Sequence, residues 1–363
     1  MILGIFPEQG GSIAGLAQTG QDGRFVHSYL GAYAQSFESV YYFSYANEHP
    51  EVPGNCSVIA NPGYHRWAYA FLLPLVQRRY LLRCDVVRVM QAYGAIPAMI
   101  TKLLYRRPYV VTYGYRYFEQ ISSVDSRLRA HLFLWRANLA ARFADKVIVT
   151  TGEMASYVTH WVPQAQILLV PNGVDTSLFC PAQARTERSY KVIMYVGRLS
   201  PEKNLSLLID ALSLIDRVET QLVLVGDGDL RSELGAHARQ RKVRVDFRGV
   251  VPNHELPNIL ADADVFVLPS SGEGHPKALL EAMSCGLPCV GTNVLGIREV
   301  VHHMENGLLC EVTKEDLASK ISQLLGNPEL AARLGRQARA SIVKDLDLGV
   351  LLAREIDAMR SLA

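Results

Sequence analysis

The sequence lacks the cysteine patterns that bind metals or carry out redox chemistry. Its six cysteines include no C-x-x-C pair, and none has a histidine at zinc-ligand spacing. Reduced thiols of the kind found in cytosolic proteins are therefore the preferred interpretation. A cluster of aspartates that would suggest a divalent metal is also lacking, as is any spacing typical of a Ser/His/Asp triad. We expect no metal, no resident cofactor and no covalent nucleophile.

The sequence also has little that would hold it in a membrane. No apolar run approaches the roughly 18 residues that a spanning helix needs, and the longest candidate, residues 68–76, contains Pro74. The opening residues, MILGIFPEQGGS, have no basic residue ahead of their short apolar run and make a poor signal peptide. We expect a soluble, cytoplasmic protein.

The two halves of the chain differ in charge and in aromatic content. Residues 1–180 contain 15 Lys and Arg against 11 Asp and Glu, whereas the remainder contains 22 against 24. All three Trp and 15 of the 17 Tyr lie before residue 181. A weakly basic, Tyr-rich half suits sugar stacking or an anionic membrane face. The alternative is an aromatic-rich core with ordinary solvated arginines.

Strand-like and helix-like patterns alternate along the whole chain, which is typical of parallel sheets covered by helices. The predicted strands of the second half are residues 192–197, 221–226, 243–249, 265–269 and 288–292. Those of the first half are residues 2–6, 39–45, 85–90, 109–113, 146–150 and 167–170, with helices around 66–80, 95–106 and 125–143. The fold class is therefore α/β, with two Rossmann-like, doubly wound lobes.

The 363 residues exceed one ordinary domain, and their 49% hydrophobic content suffices for two cores. Residues 171–190 are polar and aperiodic, so the lobe boundary is predicted near Pro171. Two such lobes are expected to face each other across a cleft at the carboxyl ends of their strands, where open α/β sheets bind ligands.

The segment SSGEGHPKALLEAMSCGLP, residues 270–288, follows a predicted strand directly. Its helix begins near Pro276, so the N–H groups of Lys277 and Ala278 point out of the helix start and offer an anion site. Glu273 precedes this helix and suits contact with a sugar, while Glu281 suits the hydroxyls of a ribose. The alternative for Glu281 is that it complements the helix dipole and pairs with Lys277.

The segment YVGRLSPEKNLSLLIDAL, residues 195–212, carries two cations in a loop after a predicted strand. Arg198 offers a planar fork and Lys203 a compact charge, a combination that suits a diphosphate and would stabilise it as it leaves. A solvated loop is the alternative.

Three further features are weaker indications. Gly226 and Gly228 resemble part of a dinucleotide fingerprint, but Arg231 occupies the position of its third glycine, so a simple turn is favoured. Gly10 and Gly11 follow the first strand, where they either form a turn or let the backbone approach a phosphate or acceptor. His275 is a candidate proton donor, although a histidine in such a loop more often packs or orients backbone.

These segments, in this order, resemble retaining glycosyltransferases of family 4, also called group 1, which have the GT-B fold. The resemblance covers residues from about 170 to 339, including VPNGVDTSLFCP, NGLLCEV and NPELAARLGRQAR, and Glu273 to Glu281 matches the family's E-x7-E spacing. The first 170 residues resemble the family only in outline. Many members carry a histidine after the strand equivalent to residues 109–113, where this chain has Gly114-Tyr115-Arg116.

The resemblance implies a donor site in the C-terminal lobe. Arg198 and Lys203 match the residues that bind the donor diphosphate, Glu273 matches the carboxylate on the transferred sugar, and Glu281 matches the ribose ligand. The other positions implied to contact the donor are Gly10, Gly11, Val250, Val251, Gly274, His275, Pro276, Lys277 and Ala278. Because the last GT-B helix commonly crosses back, residues 1–170 and about 345–363 are assigned to an acceptor domain, and 171–344 to the donor domain.

The predicted reaction moves a sugar from a nucleoside diphosphate sugar to an acceptor hydroxyl, with retention and without a metal. The expected donor is a UDP-, GDP- or other NDP-sugar, and the expected acceptor is a glycan, a lipid-linked sugar or a small molecule. No nucleic acid is expected as a partner. The alternative functions are a nucleotide-sugar epimerase and a non-catalytic nucleotide-sugar binder. An NAD-dependent dehydrogenase is less favoured than either. A basic set also suggests peripheral contact with the inner face of a membrane: Arg78, Arg79, Arg83, Lys102, Arg106 and Arg107.

Overall fold

The computed structural model describes residues 1–114, 127–182, 188–215 and 218–363. These residues divide into two compact units. Unit 1 comprises Met1–Pro171 and Gly349–Ala363, and unit 2 comprises Asn172–Leu348. The sequence predicted that the first domain ends at residue 170 and that the chain returns to it at about residue 345.

Unit 1 contains a seven-stranded sheet in the order β3-β2-β1-β4-β5-β6-β7, and its neighbouring strands pair in parallel. The strands are β1 (Ile2–Phe6), β2 (Ser39–Phe43), β3 (Cys56–Ile59), β4 (Val86–Val89), β5 (Tyr109–Tyr113), β6 (Lys146–Val149) and β7 (Ile167–Leu169). The helices are α1 (Ile13–Ala17), α2 (Gly31–Ser36), α3 (Arg66–Val76), α4 (Arg78–Leu81), α5 (Ile96–Tyr105), α6 (Arg127–Phe143) and α7 (Gly152–Val158), with a π-helical segment at Arg24–Leu30.

Unit 2 contains a six-stranded parallel sheet in the order β10-β9-β8-β11-β12-β13. Its strands are β8 (Lys191–Val196), β9 (Thr220–Val225), β10 (Arg244–Gly249), β11 (Val265–Leu268), β12 (Cys289–Thr292) and β13 (Leu308–Cys310). The helices are α8 (Leu205–Leu212), α9 (Arg231–Arg241), α10 (Leu256–Leu260), α11 (Lys277–Ser284), α12 (Leu295–Arg298), α13 (Lys314–Gly326) and α14 (Pro328–Asp345). The final helix, α15 (Leu348–Arg360), begins at the last residue of unit 2 and otherwise belongs to unit 1.

The predicted fold class, two Rossmann-like α/β domains, is confirmed by these two parallel sheets. Two edge strands, β3 and β13, were not predicted. Their apolar runs are short and interrupted, because Ser57 lies within β3 and Glu311 follows the three residues of β13. The helix predicted over 66–80 is two helices, because Gln77 between them has non-helical dihedral angles.

Local sequence explains the break between α13 and α14 that the Gly326-Asn327-Pro328 run predicts. The Asn327 side chain accepts a hydrogen bond from the Leu330 amide and so caps the second helix, while Pro328 occupies its first position. Of the helices that the described residues form, not one is long and apolar enough to cross a bilayer.

The chain leaves unit 2 after a short parallel bridge. The Val174 amide donates to the Leu346 carbonyl, and the Leu348 amide donates to the Val174 carbonyl. These bonds hold the chain in unit 2 as far as Leu348, so the passage into unit 1 lies slightly beyond the predicted position at about 345.

In unit 1 the last helix, α15, is fixed by a buried ion pair. The Arg88 guanidinium, on strand β4, donates to both carboxylate oxygens of Glu355, at 2.7 and 3.2 Å. Tyr33 donates to the same carboxylate and Arg88 also donates to Thr112. Arg88 and Glu355 are each 3% exposed, so this carboxylate and its partners form a fully enclosed polar network.

Candidate functional site

The predicted donor-binding residues of unit 2 lie at one edge of its sheet. Because the strands are parallel, the segments that follow β8, β10 and β11 all leave the sheet at its carboxyl edge. These segments carry Arg198 and Lys203, then Val250 and Val251, then the residues from Glu273 into α11.

Glu273 is the centre of a short polar network. Its Oε1 accepts a hydrogen bond from the Lys203 ammonium at 2.7 Å and another from the Ser270 hydroxyl at 2.6 Å. The Lys203 and Glu273 side chains are 20% and 10% exposed, and Ser270 is fully buried. The ion pair is thus largely shielded from water, which strengthens the attraction and fixes the carboxylate. Two residues that are 70 positions apart in the sequence form one charged pair.

The loops that carry these two residues are also joined through their backbones. Lys203 ends a short 3-10 turn, Pro201–Lys203, and the Ser271 amide donates to the Glu202 carbonyl at 2.9 Å. Arg198 lies on the same loop as Lys203, with its carbonyl accepting a hydrogen bond from the Tyr195 hydroxyl. The Arg198 side chain is exposed and makes no hydrogen bond or ion pair with the described part of the chain. It is therefore the more available of the two cations.

Gly226 and Gly228 support this loop. A Cβ atom added at Gly226 would lie 2.0 Å from the Gly197 carbonyl oxygen, and one at Gly228 would lie 2.4 Å from that of Leu199. The backbone after β9 therefore packs directly against the backbone that carries Arg198. This close approach of two backbone segments explains why both residues are glycines. A dinucleotide-binding site is not needed to explain them.

Glu281 lies on α11 with 4% exposure, and its Oε1 accepts a hydrogen bond from the side-chain Nδ2 of Asn253 at 3.0 Å. Asn253 is itself 3% exposed and begins a 3-10 turn just after Val250 and Val251. Val250 is 45% exposed, whereas Val251 packs partly against the core. The structure thus brings together the residues predicted for the ribose and for the base.

The start of α11 has the properties of an anion site. Pro276 caps the helix without a side-chain hydrogen bond, and the earliest intrahelical bond is the one from the Leu279 amide to the Pro276 carbonyl. The amides of Lys277 and Ala278 precede that bond, and they lie at the positive end of the helix dipole. Glu273 and Gly274 lie in the loop just before Pro276, separated from it by His275.

His275 is held as a neutral imidazole. Burial, with a smaller contribution from the nearby Lys277 ammonium, lowers the pKa of His275 to about 4. Its Nδ1 atom is buried and has no hydrogen-bond partner among the described residues, while its carbonyl accepts a hydrogen bond from Asn172 at 2.7 Å. A group with this pKa is a poor proton donor at neutral pH, so the geometry favours an orienting role.

The pKa of His275 leads to a prediction about stability. The unfolded chain takes up this proton near the ordinary pKa of about 6.5, but the folded protein resists it until about pH 4. The free energy of unfolding should therefore fall as the pH drops from about 6.5 to about 4. His275→Asn should flatten this fall in urea unfolding, whereas His254→Asn, at a side chain that is 62% exposed, should keep the wild-type slope. Equal slopes for the wild type and His275→Asn would contradict the assignment.

Gly296 is a constraint that the sequence analysis did not identify. It lies in α12, and a Cβ atom at this position would be 1.9 Å from the Gly274 carbonyl oxygen and 2.4 Å from that of Glu273. Ser270 and Asn253 were missed in the same way. The sequence signal at Gly296 is a glycine inside a helical pattern. The residues next to it in the sequence give no reason for a glycine at this position.

Gly10 and Gly11 lie in unit 1, in the turn after β1. Gly10 has a φ of 88°, and the Gly11 amide donates to the Glu8 carbonyl at 2.8 Å. The neighbouring Gln9 accepts a hydrogen bond from Arg136 at 2.9 Å. Gly114 follows β5, but Tyr115 and Arg116, which stand near the family's usual histidine position, lie outside the described residues.

Three buried polar atoms in this part of unit 1 have no hydrogen-bond partner among the described residues: Gln9 Nε2, the Tyr45 hydroxyl and Arg136 Nε. Burial lowers the pKa of the Arg136 guanidinium, which also lies 5.4 Å from the ring centre of Trp67. The sequence analysis selected the glycines of this turn but not Arg136, because the arginine reaches the turn from α6.

Comparison with known proteins identifies two family matches along the chain. The family described as "Glycosyl transferases group 1" matches residues 181–341, and "Glycosyltransferase Family 4" matches residues 23–178. An Escherichia coli UDP-Gal:alpha-D-GlcNAc-diphosphoundecaprenol alpha-1,3-galactosyltransferase is 29% identical over 64% of this chain and 63% of its own length. A glycogen synthase of Mycobacterium tuberculosis is 30% identical over 73% of this chain and 66% of its own. The matched region thus spans slightly under two thirds of these relatives.

Solved structures show the same fold. The sucrose-phosphate synthase of Thermosynechococcus elongatus superposes with a TM-score of 0.83 at 22% identity, covering 100% of this chain and 99% of that one. Anabaena HepE in complex with UDP-glucose superposes with a TM-score of 0.77 at 20% identity, covering 100% of both chains. At these identities the likeness establishes the fold alone.

Proposed function

Because the chain belongs to the group 1 glycosyltransferases and has their two-domain α/β fold, we propose that it transfers a sugar from a nucleoside diphosphate sugar to an acceptor hydroxyl. One observation carries the proposal. The Lys203–Glu273 ion pair, Glu281 and the start of α11 lie on segments at one edge of the unit 2 sheet. Cations, the amides of a helix start and two carboxylates are the groups that a diphosphate and its two sugars need.

In this proposal the diphosphate binds between Arg198, Lys203 and the first amides of α11. Lys203 already faces the Glu273 carboxylate, so a donor sugar near Glu273 brings its phosphate next to the ammonium. Glu281 binds the ribose, and Val250 with Val251 packs against the base. The two cations and the helix start then stabilise the charge that develops on the leaving diphosphate, which is the part a metal plays in other transferases.

We propose transfer with retention and without a metal. The bond between the anomeric carbon and the phosphate oxygen breaks, and the acceptor oxygen bonds to the same face of that carbon. The acceptor proton moves to the leaving phosphate, which departs as a nucleoside diphosphate. A neutral His275 is consistent with this route, since no imidazolium is needed to supply or hold the proton.

The acceptor is a sugar, a lipid-linked sugar or a small molecule, and Gly10 and Gly11 of unit 1 contribute to binding at the acceptor side or near the phosphate. One relative is named for a diphosphoundecaprenol-linked acceptor and another is named a glycogen synthase, so similar proteins differ in the acceptor or product for which they are named. For a lipid-linked acceptor, we propose that unit 1 contacts the cytoplasmic face of a membrane peripherally.

The proposed function is tested with a panel of UDP- and GDP-sugars. A donor that binds only the folded protein raises its melting temperature as its concentration exceeds Kd. That donor should then yield nucleoside diphosphate and a glycosylated product only when an acceptor is present. Isomerisation of the donor alone would instead indicate an epimerase, and tight binding without turnover across a broad acceptor panel would indicate a binding protein.

Glu281→Gln provides a prediction specific to the ribose contact. Hydrogen bonds to a charged group contribute about 1.5–3 kcal/mol, so loss of the charge should weaken donor binding about tenfold or more. Glu255→Gln is the matched control, because Glu255 belongs to the same turn as Asn253 but its side chain is 56% exposed. Isothermal titration with the donor measures both. Equal donor affinity in the wild type and Glu281→Gln would contradict the ribose assignment.

A further inference from the structure

Helix α3 of unit 1 has an apolar surface on its outward side. Trp67, Phe71 and Leu75, at helical spacing, are 40%, 56% and 58% exposed, and Leu72 and Val76 beside them are also exposed. The opposite side of the same helix, including Tyr69 and Leu73, is buried in the core. A surface helix of a globular protein normally presents polar residues to water. The outward face of α3 is instead apolar, with the Arg136 guanidinium 5.4 Å from the Trp67 ring centre at one end of it.

The neighbouring helix α5 extends this apolar surface. Leu103 and Leu104 are 70% and 52% exposed, and the Tyr105 hydroxyl donates to the Pro74 carbonyl of α3 at 2.9 Å. We call the exposed apolar residues of these two helices the apolar platform; they are Trp67, Phe71, Leu72, Leu75, Val76, Leu103 and Leu104. Scattered exposed leucines are normal, but seven large apolar side chains on two packed helices are a patch.

The stretch of sequence that carries the platform is rich in arginine and poor in acidic residues. Between Glu51 and Glu119 the sequence contains a single acidic residue, Asp85, and its carboxylate accepts a hydrogen bond from the Ile2 amide. The exposed cations that follow α3 and α5 are arginines at positions 78, 79, 83 and 106, with Arg107 half-buried beside them. Lys102, which the sequence analysis included in this basic set, is instead paired with Asp145 at 2.8 Å. The basic set is therefore five arginines.

We propose that the apolar platform and these arginines dock on the surface of an anionic lipid bilayer. Apolar side chains enter the boundary between headgroups and acyl chains, and the arginines bind the anionic headgroups. A second copy of the chain is the competing occupant, but a symmetric contact through this surface would bring two sets of arginines together without acids to neutralise them. The docking itself is inferred independently of the proposed function. Its role, access to a lipid-linked acceptor, rests on the proposed function.

The test is co-sedimentation with vesicles of phosphatidylcholine, with and without phosphatidylglycerol. The wild type should bind the anionic vesicles, and more weakly at high salt. Phe71→Ser/Leu75→Ser should reduce this binding by about tenfold or more, since each side chain loses its apolar transfer energy. Arg78→Ser/Arg79→Ser should reduce it about fivefold per arginine at low salt, as expected for ~1 kcal/mol per basic residue.

Matched controls come from unit 2. Leu214→Ser/Val343→Ser removes two exposed apolar side chains, 48% and 44% exposed, and Arg239→Ser/Arg336→Ser removes two exposed arginines. Both should bind vesicles as the wild type does. Melting temperatures verify folding, and Leu103→Ser/Leu104→Ser serves as a second platform variant if the first is unstable.

The outcomes separate the alternatives. Absence of wild-type binding to anionic vesicles, or unchanged binding by both platform variants, overturns the proposal. A wild-type dimer that the platform variants convert to monomer, with no vesicle binding, assigns the surface to a second copy and also overturns it. Vesicle binding requires no donor, and the thermal shift with a nucleotide sugar should be the same in the wild type and Phe71→Ser/Leu75→Ser. Vesicle binding therefore tests the docking surface, and the thermal shift tests the proposed function, so either proposal can be overturned without the other.

Discussion

Replacing Lys203 with alanine should lower kcat by about 10²- to 10³-fold, the cost typical of losing one preorganised charge partner of a transition state. The substitution removes a cation from the leaving diphosphate. It also leaves the Glu273 carboxylate, only 10% exposed, with Ser270 as its remaining hydrogen-bond donor among the described residues. Both effects act on the same step, and the second disturbs the orientation of the carboxylate against the sugar.

Lys191→Ala is the matched control for this prediction. Lys191 forms an ion pair with Asp264 at 3.1 Å in the same unit, but it begins β8 and therefore lies at the amino edge of the sheet. This variant should keep kcat within about twofold of the wild type, since exposed pairs contribute little. Steady-state assays at saturating donor and acceptor measure kcat for both variants. Near-wild-type kcat in Lys203→Ala, with normal folding, would remove Lys203 from the proposed mechanism.

Gly296→Ala should have an effect of similar size without changing any charged group. The added Cβ would lie 1.9 Å from the Gly274 carbonyl oxygen, a distance that a structure relieves only by moving backbone. The backbone that moves carries Glu273 and leads into α11. Displacement of a positioning group by about 1 Å can cost about 10²-fold in rate.

Gly272→Ala distinguishes this effect from a general sensitivity of the loop. A Cβ atom at Gly272 meets nothing within 4 Å, although the residue lies next to Glu273. We expect kcat/KM to fall about 10²-fold in Gly296→Ala and to change little in Gly272→Ala. The assignment fails if the two variants are equally active, or if Gly296→Ala loses activity only in proportion to a loss of folded protein.

The sequence predicted the sheets well because buried parallel strands produce unbroken apolar runs. The strand predicted over 109–113 coincides with β5, and the others agree with the structure within two residues at each end. β3 and β13 were missed because their apolar runs are interrupted: Ser57 lies within β3, and Glu311 follows the three residues of β13. The equally short edge strand β7 was predicted from the unbroken apolar run at residues 167–170.

The candidate site was predicted unevenly, and the reason is also physical. Lys203 and Glu273 carry charge in loops that follow strands, and parallel topology brings such loops to one edge. Their contact with each other, and the roles of Ser270, Asn253 and Gly296, depend on how separate loops pack. No periodic pattern within one segment contains that information. The same limit explains why Lys102 was grouped with the arginines at the surface of unit 1 although it is paired with Asp145.

The buried Arg88–Glu355 pair has a consequence for dissecting this protein into fragments. A polypeptide that stops at Pro171 would retain the guanidinium inside its sheet but lose the carboxylate that neutralises it, and removing one partner of a buried pair costs about 3–5 kcal/mol. The amino-terminal half is therefore a discontinuous folding unit. An independent version of it requires the last fifteen residues, Gly349–Ala363, to be supplied in trans or spliced on by permutation of the chain.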